Sequence, residues 1–229
     1  MTRAQCLFAA GLLSLTCSAH ANLISNGSFE FPLVPPGTFT SYPSGSLFGP
    51  WTTVGAGEVA LVHTSFAASG LSFPAQEGNN WLDLTHGFNG ANGVEQTIPT
   101  VIGGLYQITF YLGNIVNPGG PFGTSSSVSI STNGFAGNTA TVDGSNSPPT
   151  TTLAWTQFNA LFLADSAQTT VRFTNLDGPS DNSNGLDNIS IVEVSRPTPS
   201  VVPVPATLPL LASGMALLGL LGRKRARRG

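Results

Sequence analysis

Between residues 22 and 200 the sequence contains no lysine and no cysteine. Without cysteine this region can form no disulfide and carry no thiol chemistry, so its stability must come from a hydrophobic core. Its only basic residues are Arg172 and Arg196, and with eleven carboxylates they give a net charge of −9. Such a charge excludes nucleic acid as a partner, because nucleic acid needs a basic surface. It is compatible with cation binding.

Amphipathic helical periodicity is also missing from this region, whereas aromatic residues are abundant and argue against disorder. Every second side chain of Tyr106–Leu112 is apolar, which is typical of a half-buried strand. Further strands are predicted at 23–24, 28–31, 57–62, 80–84, 94–98, 127–131, 154–162, 169–175 and 186–194. Segments 32–50, 117–126 and 143–152 are rich in proline and glycine and are predicted as loops. Short strands separated by Asn-Gly turns predict an all-β fold, a β-sandwich or jelly roll.

The N-terminal end has the three parts of a secretory signal peptide. Arg3 precedes an apolar stretch, Cys6–Leu15, that is too short to span a bilayer. The small residues Ala19 and Ala21 then flank His20, as at a signal-peptidase site. We therefore predict a signal peptide over residues 1–21, cleaved after Ala21. A lipoprotein signal that ends at Cys17 is an open alternative.

The C-terminal end also has three parts. Four prolines lie within residues 196–205, which predicts an extended spacer over 196–206. The 22 residues from Val201 to Gly222 carry no charge, and a basic cluster, 223–228, follows them. That length predicts a single transmembrane helix within 207–229, with its basic end in the cytoplasm.

This tail resembles the PEP-CTERM sorting signal of Gram-negative bacteria. The resemblance is carried by Pro203-Val204-Pro205 before Ala206-Thr207-Leu208, the apolar helix and the arginine cluster. Val204 stands where the family most often has glutamate. The resemblance implies that an exosortase, a membrane-bound processing enzyme, cleaves the chain near Pro203, Val204 and Pro205. It also implies export across the inner membrane. Because the family accompanies exopolysaccharide production, it further implies an interaction with extracellular polysaccharide.

The region between the two ends resembles a second family through seven short runs. They are Asn22–Glu30, Gly49–Val54, Glu58–Val62, Trp81–Leu84, Gly93–Ile98, Tyr106–Phe110 and Gly185–Ile191. In this order and spacing they are similar to the DUF642 or choice-of-anchor C family. The resemblance implies a galactose-binding-like jelly roll over residues 22–195.

The same resemblance implies a structural calcium ion. In galactose-binding-like modules a glutamate of the opening run and an aspartate of the closing strand share calcium with backbone carbonyls. The matching residues are Glu30 and Asp187. Calcium prefers hard oxygen ligands, and a lysine-free acidic domain supplies them without competing ammonium groups. The alternative is that these are two separate surface carboxylates.

Tyr111 is the predicted ligand-binding aromatic residue, because strand alternation places it on the polar face. The other large aromatics that could stack on a sugar are Trp51, Trp81, Trp155, Tyr42 and Tyr106, of which Trp81 and Trp155 are better explained as core.

Catalytic signatures are weak. The carboxylates Glu58, Glu77, Asp83 and Glu95 could provide a hydrolytic pair, but any acidic β-domain offers such pairs. His63 and His86 are the only histidines after the signal peptide, and no nucleophile elbow, zinc pair or phosphate loop is present. We therefore predict no enzymatic activity.

These observations predict an exported, membrane-anchored or surface-located protein that interacts with extracellular polysaccharide through a non-enzymatic domain. Its predicted partners are the exosortase, the polysaccharide and the membrane that receives the C-terminal helix, with no nucleic acid. Two alternatives stay open, namely a matrix component without a specific ligand and a carbohydrate-active hydrolase.

Overall fold

A computed structural model describes residues 21–86, 90–178 and 184–196. Within these ranges the chain forms fourteen strands, numbered in chain order. They are β1 (Phe39–Pro43), β2 (Leu47–Phe48), β3 (Trp51–Val54), β4 (Glu58–His63), β5 (Ala67–Ala68), β6 (Leu71–Ser72), β7 (Asn80–Asp83), β8 (Gly93–Pro99), β9 (Leu105–Asn114), β10 (Ser125–Thr132), β11 (Phe135–Asp143), β12 (Ala154–Leu163), β13 (Gln168–Asn175) and β14 (Gly185–Ser195).

Twelve of these strands form two six-stranded sheets. Sheet I has the order β1-β4-β7-β14-β9-β12, and sheet II has the order β11-β10-β13-β8-β3-β2. The short strands β5 and β6 pair with each other as a separate ribbon. All pairings between these strands are antiparallel, and from β7 onward the chain repeatedly crosses from one sheet to the other. The predicted all-β sandwich is confirmed.

The principal core lies between the two sheets. On β9 the side chains of Tyr106, Ile108, Phe110 and Leu112 are buried, as their alternation predicts, while the residues between them are half-buried. Phe110 packs edge-on against Phe173 of β13, with ring centroids 5.4 Å apart. Such aromatic contacts add to the stabilisation from burial of apolar area.

A second hydrophobic cluster covers part of the outer side of sheet I. It is built around Phe73, Trp81 and Phe122, and Trp155 packs against it. The segments between β4 and β7 and between β9 and β10 supply much of this cover. Because the cover lies over only part of sheet I, the outer side of β9 and β12 stays accessible.

Three sequence-based assignments are wrong. Residues 28–31 are not a strand, because Phe29 has a φ angle of 56°. Residues 23–24 are not a strand either, and the chain turns shortly after them, at Asn26, whose φ angle is 53°. Positive φ is incompatible with extended backbone. Segment 32–50 is not one loop, since it contains β1 and β2.

Strand β11 has no counterpart among the predicted strands. It lies at the edge of sheet II and pairs only with β10, through contacts such as Val128 with Ala140. An edge strand needs less apolar sequence than a central one, and the small polar residues of β11 gave no alternating signal.

No helix within the described ranges has the length and apolarity needed to cross a bilayer. The predicted transmembrane helix lies outside those ranges, as does most of the predicted signal peptide. The described residues belong to one compact unit that ends at Arg196.

Candidate functional site

The opening segment of the domain, residues 22–30, is hydrogen-bonded to its last strand, β14. The backbone N–H of Leu23 donates to the carbonyl of Ile191 at 2.8 Å, and the N–H of Ile189 donates to the carbonyl of Gly27 at 3.0 Å. The approach at Gly27 is so close that an added Cβ would lie 2.0 Å from the carbonyl oxygen of Ile189. This attachment brings Glu30 and Asp187 to the same region of the molecule.

Glu30 organises the segment that connects the second hydrophobic cluster to β7, residues 74–80, which we call the 74–80 loop. Its Oε1 accepts backbone N–H donors from Asn79 at 2.8 Å and Asn80 at 2.9 Å. The carboxylate lies against Gly78, whose φ is +69° and where an added Cβ would lie 2.4 Å from Oε1. The positive φ therefore favours glycine there, and any side chain would displace the Glu30 carboxylate.

Asp187 binds the same loop and is fully buried. Its Oδ2 accepts backbone N–H donors from Gln76 at 2.8 Å and Glu77 at 3.1 Å, and its Oδ1 accepts one from Asn188 at 2.7 Å. Burial raises the pKa of Asp187 to about 7, and the negative charge of Glu30 adds to the rise, although the three N–H donors lower it. Asp187 is therefore not a surface carboxylate, and it accepts hydrogen bonds from the same loop as Glu30.

Several residues around this pair have no place in the sequence-based prediction. The side-chain oxygen Oδ1 of Asn80 is buried without a hydrogen-bond partner in the described structure. Asn188 donates from Nδ2 to Oε1 of Gln76 at 2.8 Å, and the Ser28 hydroxyl donates to the Glu77 carboxylate. Within the described ranges, no three His, Cys, Asp or Glu side chains are grouped in a way that could hold a metal. A cation here would need carbonyl oxygens as further ligands.

Tyr111 lies elsewhere, on the outer side of sheet I. Its neighbours on the same β9 face are Gln107 and Thr109, and across the ladder to β12 it stands opposite Gln157. Asn159 of β12 and Ser190 of β14 both stand opposite Thr109. Directly opposed residues of antiparallel strands point to the same side. We call the surface formed by Gln107, Thr109, Tyr111, Gln157, Asn159 and Ser190 the open face.

The open face is neutral and hydrogen-bonded across its strands. Oδ1 of Asn159 accepts from the Thr109 hydroxyl at 2.8 Å and from Nε2 of Gln107 at 3.2 Å. This fixes the orientation of the Asn159 amide, so that its Nδ2 is left to donate elsewhere. In the described part of the chain, the Tyr111 hydroxyl and the Gln157 amide have no hydrogen-bond partner.

One end of the open face is closed by Trp155. Its indole N–H donates to the carbonyl of Pro74 at 2.9 Å, and its ring packs edge-on against Trp81 at 6.0 Å. Gly113 and Gly185 stand beneath the ring, and a Cβ on either would approach its atoms to 2.9 Å or 2.8 Å. The two glycines therefore make the space that Trp155 occupies.

The other end of the open face is aliphatic. Leu161 stands opposite Gln107, and Leu163 stands opposite Leu105. Leu161 and Leu163 are more than half exposed, and Val192 of β14 lies in the same row as Gln107. The open face thus runs along β12 from an aromatic end through neutral polar groups to an aliphatic end.

The structure separates the remaining aromatic candidates from this face. Trp51, Trp81 and Tyr106 are buried in the two hydrophobic clusters and cannot stack on an external ligand. Tyr42 packs against the principal core, beside Phe48. Sequence reasoning missed Gln157 and Asn159 as surface groups, although the period-two alternation of the predicted 154–162 strand places both on the side of Trp155.

The only hydroxyl–histidine–carboxylate contact that the described residues form does not have the geometry of a catalytic triad. The Ser41 hydroxyl lies 2.7 Å from Nε2 of His86, and Oε1 of Glu58 lies 3.4 Å from the same nitrogen. A triad needs the carboxylate on Nδ1, opposite the nucleophile. Of the other carboxylates, Glu95 forms an ion pair with Arg172 on sheet II.

The predicted sorting residues Pro203, Val204 and Pro205 lie outside the described residues, as does Ala19 of the predicted cleavage site. Their roles therefore stay predictions.

Solved structures of carbohydrate-binding proteins resemble this fold. A family 35 carbohydrate binding module from Clostridium thermocellum has a TM-score of 0.40 at 12% identity, with 67% of this chain and 97% of that chain covered. The CBM22-1 xylan-binding domain from Paenibacillus barcinonensis has a TM-score of 0.41 at 15% identity, covering 72% and 99%. An arabinose-bound α-L-arabinofuranosidase has a TM-score of 0.45 at 17% identity, covering 77% of this chain but 27% of the enzyme.

No curated protein matches the sequence. A family described as "Protein of unknown function (DUF642)" matches residues 22–191, which include all strands except the last residues of β14. This match covers the opening segment, the 74–80 loop and the open face. The chain therefore belongs to the DUF642 family.

Proposed function

We propose that this chain is an exported, surface-located, non-enzymatic protein whose β-sandwich interacts with extracellular polysaccharide through the open face. The supporting observation is the open face itself, where Tyr111 and Gln157 present neutral polar groups that have no hydrogen-bond partner among the described residues, on the paired strands β9 and β12. Ordered strands hold binding groups more precisely than loops do. A polysaccharide offers the matching chemistry, because its hydroxyls both donate and accept hydrogen bonds while its ring C–H groups pack on aromatic and aliphatic side chains.

The proposal that the domain is non-enzymatic is supported by the geometry of the site residues. None of the six residues of the open face is a carboxylate or a histidine, and the Asp187 carboxylate opposite Tyr111 is buried beneath the 74–80 loop. General acid–base chemistry needs such groups within hydrogen-bond reach of the substrate. The carboxylates Glu30 and Asp187 accept backbone N–H donors from the 74–80 loop, which is a structural use of their charge.

Replacement of Tyr111 by alanine should weaken polysaccharide binding about tenfold, since about 1.4 kcal/mol of aromatic contact and hydrogen bonding is lost. Gln157→Ala should weaken it severalfold. Binding is measured by affinity electrophoresis of the full chain in gels that contain soluble polysaccharides. The matched control is Gln168→Ala, because Gln168 is an exposed glutamine on sheet II.

If a polymer retards the wild-type chain and the Tyr111 and Gln157 variants equally, the binding site lies away from the open face. Lack of retardation by every neutral and acidic polymer would favour the alternative of a matrix component without a ligand. Release of reducing sugar from any of the polymers would favour the hydrolase alternative.

The location of the protein follows from its two ends. The proposed signal peptide, residues 1–21, directs the chain across the inner membrane of a Gram-negative bacterium. The proposed tail, residues 207–229, holds it in the membrane until an exosortase cleaves near Pro203, Val204 and Pro205. Both proposals rest on the sequence patterns alone.

Mass spectrometry of the surface-exposed protein should find Asn22 as its first residue and no peptide from 223–228. The first outcome follows from cleavage after Ala21, and the second from removal of the basic end by processing at the 203–205 segment. An N-terminus at Met1 would contradict export by a cleaved signal. Recovery of the 223–228 peptide would contradict processing while leaving a membrane anchor possible.

We also propose that Glu30 and Asp187 hold a structural calcium ion. The donor set fits, because it provides two carboxylates, the Oδ1 of Asn80, which has no hydrogen-bond partner in the described structure, and the Phe29 carbonyl that lies beside the Asn80 amide, all of them hard oxygens. A bound cation would neutralise the charges of Glu30 and Asp187, which repel each other. Its role would be to fix the 74–80 loop, and so the position of Trp155 through Pro74.

A further inference from the structure

We infer that the open face takes a neutral polysaccharide, one free of uronate, sulfate and phosphate groups. This inference rests on the proposed function and specifies the chemical class of its ligand. It is carried by the charges around the face and by the hydrogen-bonding groups on it.

No lysine or arginine between residues 22 and 200 is free to recognise an acidic sugar. The only lysine or arginine side chains between residues 22 and 200 are Arg172 and Arg196. Arg172 lies on sheet II and donates from Nε to Oε2 of Glu95 at 2.8 Å. Arg196 follows β14 and donates to both carboxylate oxygens of Glu193, at 2.6 Å and 2.8 Å. Both guanidinium groups are therefore already paired, whereas recognition of carboxylate or sulfate relies on such forks.

The histidines do not supply the missing charge either. His63 ends β4 and His86 follows β7, and both strands lie on the far side of β14 from β9 and β12. His86 contacts Glu58 and Ser41, and His63 contacts Ser65. Both rings therefore lie away from the open face.

Two carboxylates lie beside the open face. Asp187 stands opposite Tyr111 in the ladder between β14 and β9, and Glu77 lies in the 74–80 loop that covers Asp187. The whole region 22–200 carries a net charge of −9. An acidic polymer would therefore approach against an unfavourable potential and would lose hydration at the face without forming an ion pair.

The polar groups on the face suit neutral hydroxyls instead. Gln107 and Thr109 donate to the same oxygen of Asn159, which leaves its Nδ2 as an outward donor held in one orientation. In the described structure, the Tyr111 hydroxyl, the Gln157 amide and the Ser190 hydroxyl form no hydrogen bond. Together they offer donors and acceptors side by side, the pattern that a sugar hydroxyl can satisfy in both directions.

The dimensions and ends of the face indicate an extended polymer. From Trp155 to Leu163, β12 covers about 27 Å, at about 3.4 Å per residue. Leu161 and Leu163 provide an exposed aliphatic surface at one end, and Trp155 provides an aromatic edge at the other. These surfaces can pack on the C–H faces of successive uncharged sugar rings, whereas charged substituents would be desolvated there.

Homogalacturonan tests the inference well, because the same backbone is neutral when fully methyl-esterified and acidic when de-esterified. The full chain is compared on both forms and on neutral xylan, galactan and β-glucan, with EDTA present and again with calcium. We expect at least one neutral polymer to bind, and the de-esterified form to bind at least tenfold more weakly than its esterified partner. Raising NaCl from about 0.05 to 0.5 M should change neutral binding less than twofold, because no ion pair is screened.

Charge insertion gives the second test. Gln157→Lys should weaken binding of the neutral polymer and should create measurable binding of the de-esterified polymer that salt removes. Tighter binding of the acidic form by the wild-type chain, with or without calcium, would overturn the inference and leave the proposed function intact. Failure of every polymer to bind would overturn both. Neutral binding that survives both Asn159→Ala and Tyr111→Ala would place the ligand on another surface and would also overturn the inference.

Discussion

In the presence of EDTA, the free energy of unfolding of the wild-type chain should rise relative to that of Asp187→Asn as the pH falls from about 7.5 to 4.5. Burial and the charge of Glu30 raise the folded-state pKa of Asp187 to about 7, from 3.8 in the unfolded chain. The folded state therefore holds a proton that the unfolded state has lost between those two values. Stability from this group is complete below the unfolded pKa and is lost as the pH rises through the folded one.

A gap of about three pKa units corresponds to about 4 kcal/mol of unfolding free energy between pH 4 and pH 7. The measurement is urea unfolding at several pH values, with the wild-type chain and Asp187→Asn compared at each pH so that the other carboxylates cancel. If the difference between the two free energies of unfolding does not change with pH, Asp187 has the same pKa in the folded and unfolded states.

If Glu30 and Asp187 hold calcium, the stabilisation by added calcium should increase with pH, opposite to the pH dependence of stability in EDTA. The cation binds the ionised carboxylate, so added calcium should raise the melting temperature most above pH 7 and least below pH 5. Glu30→Gln should remove this increment. It should also narrow the pH dependence, because the Glu30 charge no longer opposes ionisation of Asp187. Glu77 is the one carboxylate within the 74–80 loop itself, and it accepts a hydrogen bond from the Ser28 hydroxyl. An increment that survives in Glu30→Gln would contradict the proposed calcium site.

Gly27→Ala should be among the most destabilising single-methyl additions in the domain. An added Cβ would lie 2.0 Å from the Ile189 carbonyl oxygen, and the obstacle is the backbone of a central strand rather than a flexible side chain. Relief requires the opening segment to move away from β14, which breaks the hydrogen bond from Ile189 N–H to the Gly27 carbonyl. We expect a loss of about 3 kcal/mol or more from overpacking and the lost bond together.

Urea unfolding followed by tryptophan fluorescence measures this loss. Gly178→Ala is the matched control, because nothing lies within 4 Å of a Cβ at that position. The control should change the free energy of unfolding by less than about 0.5 kcal/mol. Equal effects of the two substitutions would mean that the opening segment is not held against β14 as described.

The strands that sequence alone predicts are those whose residues alternate. On β9 and β13 every second side chain enters the core, so the period of two is visible without any tertiary information. Edge strand β11 and the short strand β1 could not be found, because pairing with β10 and β4 rather than apolar content makes them strands. The opening segment looked extended, but the positive φ at Phe29 depends on its attachment to β14.

The carboxylate site, like the fold, is predictable from the sequence only in part. Glu30 and Asp187 were identified through a family resemblance, which gave no indication of what lies between them. The 74–80 loop that they share donates from Gln76 and Glu77 to Asp187 across a long sequence separation. Such contacts leave no periodic trace in the sequence. The open face, in contrast, could be anticipated at Tyr111, and the ladder register supplied its partners Gln157 and Asn159.

The eleven-residue strand β14 has a mechanical consequence. It is flanked by β7 and β9, contributes Ser190 to the open face and ends at Ser195, where the chain leaves the domain. In a protein held by its C-terminal end and attached to a polymer through the open face, tension would run along β14 and across its ladder to β9. The hydrogen bonds of that ladder would be loaded together, in shear, rather than opened one after another.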